Sequence, residues 1–235
     1  MLLREDDTYR FVYHSLHRHA EEVLWAIEAL IADPQSEKAR EAGAKLACLA
    51  AFKSSAAEHL RDLCLAGDTP LRKGAAVVYA TNVTEPTVEK ECRERLRTLM
   101  NDEDHTVRDA AADFWRHLKA ADMRGLADFL RDWASTKSLD EGADDAARAL
   151  EEHGAADPQL TLDIAWKLVE ALGAEITSIQ TRRGMISHAL TPAILNIYHR
   201  SQDAAIRARA IDLFERLEEL GCLEIRRALE SVDRL

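Results

Sequence analysis

The sequence predicts an all-α protein: a right-handed α-solenoid of about six antiparallel helical hairpins, forming one continuous domain over residues 1–235. Three observations carry this expectation. Ala, Leu, Glu and Arg dominate the composition, with 9 Gly and 5 Pro in 235 residues, and these are good helix formers. Runs of strand type are nearly absent; the closest, Ala76-Val77-Val78-Tyr79, sits inside a helical pattern. Finally, a short pattern recurs at nearly even spacing: Asp, two residues, an aliphatic, Arg, two residues, then small or apolar positions. A period near 36 residues marks a repeat architecture.

Helix boundaries are signposted in order along the chain. Asp33-Pro34, Gly67 to Pro70, Thr84 to Pro86, Asn101-Asp102, Ser135-Thr136, Gly154, Asp157-Pro158, Thr191-Pro192, Ser201 and Gly221 break the pattern. Pro70, Pro86 and Pro158 follow capping residues, which suits the first turn of a helix, where the missing N–H has no intrahelical partner. Between breaks, apolar residues fall at i, i+3, i+4 and i+7. Val23, Leu24, Ile27, Leu30 and Ile31 make one stripe, and Val107, Ala111, Phe114, Trp115 and Leu118 a second. Leu160, Ile164, Ala165, Leu168, Val169 and Leu172 make a third, and Ile206, Ala210, Leu213, Phe214 and Leu217 a fourth. Short connections between such helices make antiparallel hairpins. Residues 174–188 fit no repeat and are expected to be an irregular insertion.

The strong copies of the pattern are Asp68, Leu71, Arg72, Ala75; Asp104, Val107, Arg108, Ala111; and Asp203, Ile206, Arg207, Ala210. Weaker ones begin at Ser36 and Asp140, so the first four starts are 32, 36 and 36 residues apart. The Asp or Ser is expected to cap the second helix of each hairpin by accepting backbone N–H groups. The aliphatic residue enters the core, and the small residues let two helices approach. The Arg lies at the rim, within reach of an acid in the adjacent turn or repeat.

These residues resemble a known family. The stretches beginning Asn101-Asp102-Glu103-Asp104, Gly67-Asp68-Thr69-Pro70 and Gln202-Asp203-Ala204-Ala205 are similar to the turn and second helix of a HEAT repeat. The resemblance covers about two thirds of the chain, although HEAT periods usually run to about 40–47 residues. The Trp…Leu-Gly…Tyr pattern of tetratricopeptide repeats, with a period near 34, is not found. The C-terminal stretch Ala208 to Leu217, with Leu229 to Arg234, loosely resembles the repeat and sensor end of large bacterial STAND-type NTPases, several of which act in anti-phage defence. That resemblance implies a freestanding relative or a sensor fragment, because the chain has no Gly-x-x-x-x-Gly-Lys-Ser/Thr phosphate loop.

Charge and composition bound the function. A net charge of −11 argues against nucleic acid, whose binding draws on counterion release by Lys and Arg. No apolar run is long enough for a membrane span. Cys48, Cys64, Cys92 and Cys222 are scattered, with no Cys-x-x-Cys, as expected of buried thiols in a reducing compartment; the expected location is cytoplasmic. His14, His17 and His19 lack the further ligands a zinc site needs, so no metal, cofactor or catalytic residue is assigned. Residues 137–157 carry seven carboxylates against Lys137 and Arg148. This stretch reads as a solvated helix face or as a docking patch for a basic partner. Candidate partner-binding residues are Asp109, Asp113, Arg116, Asp140, Glu141, Asp144 and Asp145. The expectation is a non-enzymatic protein-interaction module or sensor scaffold whose partner is another protein. Leu223, Ile225, Leu229 and Val232 would cover the last repeat or pair with a second copy. The alternative is a HEAT-like DNA glycosylase acting on alkylated bases, with Trp115, Trp133, Trp166, Asp109 and Asp113 as its cleft residues; Trp115 shares a stripe with Val107 and Leu118 and suits a core position better.

Overall fold

The helix formers make helices along the described residues. A computed structural model describes the backbone of residues 23–174 and 180–220, and among them there are twelve α-helices and no strand. The histidine cluster at residues 14–19, Cys222 and the apolar residues from Leu223 onward lie outside the described residues. Residue contacts group the chain into two compact units, Met1–Asp113 and Phe114–Leu235.

The first unit contains α1 (Leu24–Ile31), α2 (Glu37–Ala51), α3 (Glu58–Ala66), α4 (Thr69–Thr81), α5 (Glu89–Leu99) and α6 (His105–Ala112). The helices start where a side chain can satisfy orphan N–H groups. Ser36 Oγ accepts from the Ala39 N–H at 3.1 Å, Asp68 Oδ1 from Leu71 at 3.4 Å, and Asp104 Oδ1 from Thr106 at 2.8 Å. These begin α2, α4 and α6, and the same three helices pack in succession, α2 on α4 and α4 on α6. α1 packs on α2, α3 on both α2 and α4, and α5 on both α4 and α6.

Small residues set how closely these helices pack. A Cβ added at Gly74 in α4 would lie 2.4 Å from the Glu41 carbonyl oxygen and 2.8 Å from Ala44 Cβ, both in α2. One added at Gly43 would lie 2.9 Å from both the Ile31 nitrogen and Leu30 Cβ of α1. Ile27, Leu46, Ala47, Ala50, Leu60 and Cys64 fill the core between the first helices, each large aliphatic contributing about 1.5–3 kcal/mol of transfer free energy. Tyr79, Leu96, Met100 and Val107 are also fully buried.

The second unit contains α7 (Ala120–Gly125), α8 (Ala127–Trp133), α9 (Leu139–His153), α10 (Pro158–Ala174), α11 (Gln180–Arg200) and α12 (Ala204–Glu219). Asp203 Oδ1 caps α12 through the Ala205 N–H at 2.8 Å, and Asp157 Oδ1 accepts from Leu160 at 3.0 Å in the first turn of α10. α9 packs on α10 and α11, α12 on both α10 and α11, and α8 on α10. Phe114, Trp115, Phe129 and Trp133 form a buried aromatic cluster. The Phe114 and Trp115 rings stack at 5.2 Å, and Trp115 meets Trp133 edge-on at 4.9 Å.

Four sequence expectations change. The stripe from Val107 to Leu118 is not one helix: α6 ends at Ala112 and a 3₁₀ turn covers Asp113–His117. The tighter turn lets the adjacent Phe114 and Trp115 both face the interior. The expected irregular insertion over 174–188 is helical from Gln180 onward, and Ala174 ends α10; residues 175–179 lie outside the described residues. The expected break at Thr191-Pro192 falls inside α11. An interior proline costs about 3 kcal/mol, and the burial of Ile186, Leu190, Ala193, Ile194 and Ile197 outweighs it. The Thr191 hydroxyl donates to the Ser187 carbonyl at 2.7 Å beside the interruption. Finally, Asp140 does not cap its helix. It sits in the first turn of α9, after the N-cap residue Ser138.

Candidate functional site

The recurring arginines work in the frame of the first unit. One turn into each helix, the Arg folds back on the preceding turn. Arg40 Nη1 donates to the Asp33 carbonyl at 2.7 Å, Arg72 Nη1 to the Gly67 carbonyl at 2.6 Å, and Arg108 Nη1 to the Asp102 and Glu103 carbonyls at 2.9 and 3.0 Å. Arg72 and Arg40 also reach forward into the next copy. Arg72 grips Asp102 with two bonds, Nε to Oδ2 at 2.7 Å and Nη2 to Oδ1 at 3.1 Å. Arg40 Nε lies 3.1 Å from Asp68 Oδ2, an ion pair without hydrogen-bond alignment. The Thr69 hydroxyl donates to Asp104 Oδ2 at 3.1 Å, joining α4 to the cap of α6. Arg207, in the second unit, departs from this scheme: its guanidinium lies over the Tyr198 ring at 4.7 Å and donates to the Tyr198 hydroxyl at 3.0 Å.

Further ion pairs link alternate helices of the first unit, α2 to α4 and α3 to α5. Glu41 holds Lys45 at 2.7 Å and Lys73 at 3.2 Å. Burial raises the Glu41 pKa, but the hydrogen bonds and charges of the two lysines outweigh it and leave the carboxyl below its usual value. Arg61, almost fully buried on α3, reaches Glu91 on α5 at 3.0 Å. These pairs are part-buried, and the bidentate Arg72–Asp102 pair is the strongest of them by geometry. Cys48, Cys64 and Cys92 are buried in the same unit. Burial pushes the thiols of Cys64 and Cys92 up to about 12, so they are poor nucleophiles.

The candidate partner-binding residues fall in both units: Asp109 and Asp113 in the first, Arg116, Asp140, Glu141, Asp144 and Asp145 in the second. Asp109 is exposed on α6 and Asp113 is half-buried at the start of the 3₁₀ turn. Along α9, Asp140 is exposed, whereas Glu141, Asp144 and Asp145 are half-buried. Arg116 and Asp145 are brought together, Nε to Oδ2, at 2.8 Å. Six of the seven carboxylates lie on the side of α9 opposite its buried residues Gly142, Ala143, Ala146, Ala147 and Leu150, and the last, Asp157, serves as a cap. Trp115 and Trp133 are core residues, and Trp166 is tied by its indole N–H to Glu170 at 2.8 Å.

Two clefts open on the second unit. One, of about 350 Å³, is lined by Arg131, Ser135, Asp163, Trp166, Lys167 and Arg209. Its charges are mutually spent: Asp163 accepts from Arg131 at 3.1 Å and from Arg209 at 2.9 Å, and Lys167 pairs with Glu170 at 3.0 Å. The other, of about 400 Å³, has a wall of Trp115, Leu118 and Ala149 and a rim of Arg116, Lys119, Asp145, Arg148, Glu152 and His153. Here Asp145 is taken by Arg116, and Glu152 lies 3.7 Å from His153. Lys119 and Arg148 are exposed, and neither side chain has a carboxylate partner among the described residues. The buried Trp115 indole N–H meets no acceptor among the described residues, an arrangement that costs about 1–3 kcal/mol. The sequence carried a signal for this cleft: Asp145, Arg148, Ala149 and Glu152 stand at i, i+3, i+4 and i+7, one face of α9.

Among the described residues no group of three or more His, Cys, Asp or Glu is placed to hold a metal ion, and no helix is long and apolar enough to cross a membrane. Compared with known protein families, with curated proteins and with solved structures, the chain matches none.

Proposed function

We propose that the chain is a non-enzymatic interaction module, a HEAT-like α-solenoid that presents the second helix of each hairpin to a partner protein. The observation that supports it is the recurring cap and arginine bond in the first unit, at Ser36 and Arg40, Asp68 and Arg72, and Asp104 and Arg108. The motif is consumed in joining helices, which leaves the exposed positions between its copies to carry recognition. Stacked hairpins of this type form extended binding surfaces. Glu37, Lys38, His105 and Asp109 are exposed on α2 and α6, a mixed-charge set that suits a polar protein surface. On the STAND-like reading, the partner is an ATPase switch and this chain is its sensor.

Site-specific photo-crosslinking in the native host tests the proposal. A crosslinker at Lys38 or Asp109 should capture one and the same protein, and charge reversal at the other position should weaken that capture. Crosslinkers at Glu58 and Lys90, exposed on α3 and α5, should not capture it. Equal capture from all four positions, or robust substrate turnover by the isolated chain, would rule the proposal out.

A further inference from the structure

We infer that the cleft between the 3₁₀ turn after α6 and helix α9 binds a small phosphomonoester, with the phosphate between Lys119 and Arg148 and the organic body within the cleft that Trp115, Leu118 and Ala149 help to line. This goes beyond the interaction reading and does not depend on it. Four observations lead to it. The cleft, about 400 Å³ in volume, falls within the range of small-molecule sites. Its rim carries Arg116, Lys119, Arg148 and His153 against Asp145 and Glu152, a local excess of basic groups in a chain of net charge −11. Arg116 is bonded to Asp145 at 2.8 Å, which fixes a guanidinium at the edge. Lys119 and Arg148 supply the charge that the protein's own acids do not cancel. The wall behind them is apolar and includes a buried indole.

The chemistry selects the ligand class. Two cations without carboxylate partners match the dianion of a phosphomonoester better than a single carboxylate. Arg offers a planar fork for two phosphate oxygens, and Lys a point charge for the third. Trp115, Leu118 and Ala149 are 1%, 4% and 6% exposed, so the wall offers the organic body a narrow apolar strip. The other cleft lacks this match, because Asp163 already occupies both of its arginines.

Adenosine 5′-monophosphate, inorganic phosphate and adenosine are the probes, each titrated into the full chain at low salt by calorimetry. The nucleotide should saturate the protein. Arg148→Gln and Lys119→Gln, both at exposed positions, should each weaken binding about tenfold or more, without changing the unfolding midpoint. Glu152→Gln removes the rim acid beside His153 and should tighten it. Saturable binding of inorganic phosphate that shows the same dependence on Arg148 and Lys119 also supports the site. Three results would overturn the inference: no saturation by nucleotide or phosphate up to about 10 mM, binding indifferent to both substitutions, or adenosine binding as well as its monophosphate.

Discussion

Gly74→Ala is the substitution whose sign depends most on how α2 and α4 pack. In an exposed helix interior, Gly→Ala stabilises by about 0.5–1 kcal/mol, because glycine loses more backbone entropy on folding. At Gly74 the new Cβ would lie 2.4 Å from the Glu41 carbonyl oxygen and 2.8 Å from Ala44 Cβ. The first contact is with helical backbone, which has no rotamer to change. Either α4 moves away from α2, opening the core around the fully buried Ala44, Ala47 and Ala75, or the Glu41 turn distorts. Either movement also loads the bonds Glu41 makes to Lys45 and Lys73, at 2.7 and 3.2 Å. Overpacking of this kind costs about 1–3 kcal/mol, which exceeds the propensity gain and leaves a net loss of about 1–2 kcal/mol. Gly125→Ala is the matched control: a Cβ there meets nothing within 4 Å, so a gain of up to about 1 kcal/mol is expected. Urea unfolding followed by circular dichroism reads both, and hydrogen exchange localises the loss to the amides of α2 and α4. A Gly74→Ala protein as stable as the parent, or more so, would show that the helices are not in close approach and refute the reasoning.

Three further outcomes are expected. The carboxyl of Asp104 is held down to about 2 by the Thr106 hydroxyl, with the Thr106 N–H and the Thr69 hydroxyl adding to it. Its folded-state pKa lies below the ordinary 3.8, so its contribution is complete above that value and is lost as pH falls through about 2. Asp104→Asn keeps a capping oxygen, so the urea midpoint should lose part of its pH slope in that window; an unchanged slope would count against the assignment. Burial also keeps Cys48, Cys64 and Cys92 protonated, so alkylation near pH 8, followed by peptide mass spectrometry, should leave all three unmodified until denaturant is added. Arg207→Lys should weaken the docking of α12 on α11 by about 0.5–1 kcal/mol through loss of the contact with the Tyr198 ring, read as faster hydrogen exchange at the start of α12.

The parts of the fold legible in the sequence are those decided locally. A cap needs only a short side chain and the N–H groups two or three residues on, so Ser36, Asp68, Asp104 and Asp203 could be placed from spacing alone. The small residues after each Arg were legible for a similar reason, since close approach leaves little choice but Gly or Ala. The arginines were half legible. A contact with a neighbouring acid follows from position at the rim, but the bond each makes to its own preceding turn does not appear in a charge pattern. Tertiary burial decided what the sequence pattern missed. Phe114 and Trp115 are drawn inward together by Phe129 and Trp133, which needs a 3₁₀ turn where periodicity indicates a helix. Pro192 is carried inside α11 by the apolar residues on either side of it. At the candidate site, counting charges along residues 137–157 concealed that the carboxylates of α9 share one face with Arg148, opposite the buried residues of the helix. Arg148 turns to a cleft whose other basic residues are His153 of α9 and Arg116 and Lys119 from before α7.

The claim on which the rest depends is that the recurring Asp and Arg are structural ties between successive helices rather than a chemical motif. A double-mutant cycle between Arg72 and Asp102 tests it most directly. The pair is bidentate, at 2.7 and 3.1 Å, with side-chain exposures of 24% and 11%. Arg72→Met and Asp102→Asn, singly and together, should reveal a favourable coupling of about 1–2 kcal/mol in unfolding free energy. A coupling within about 0.3 kcal/mol of zero would contradict the account.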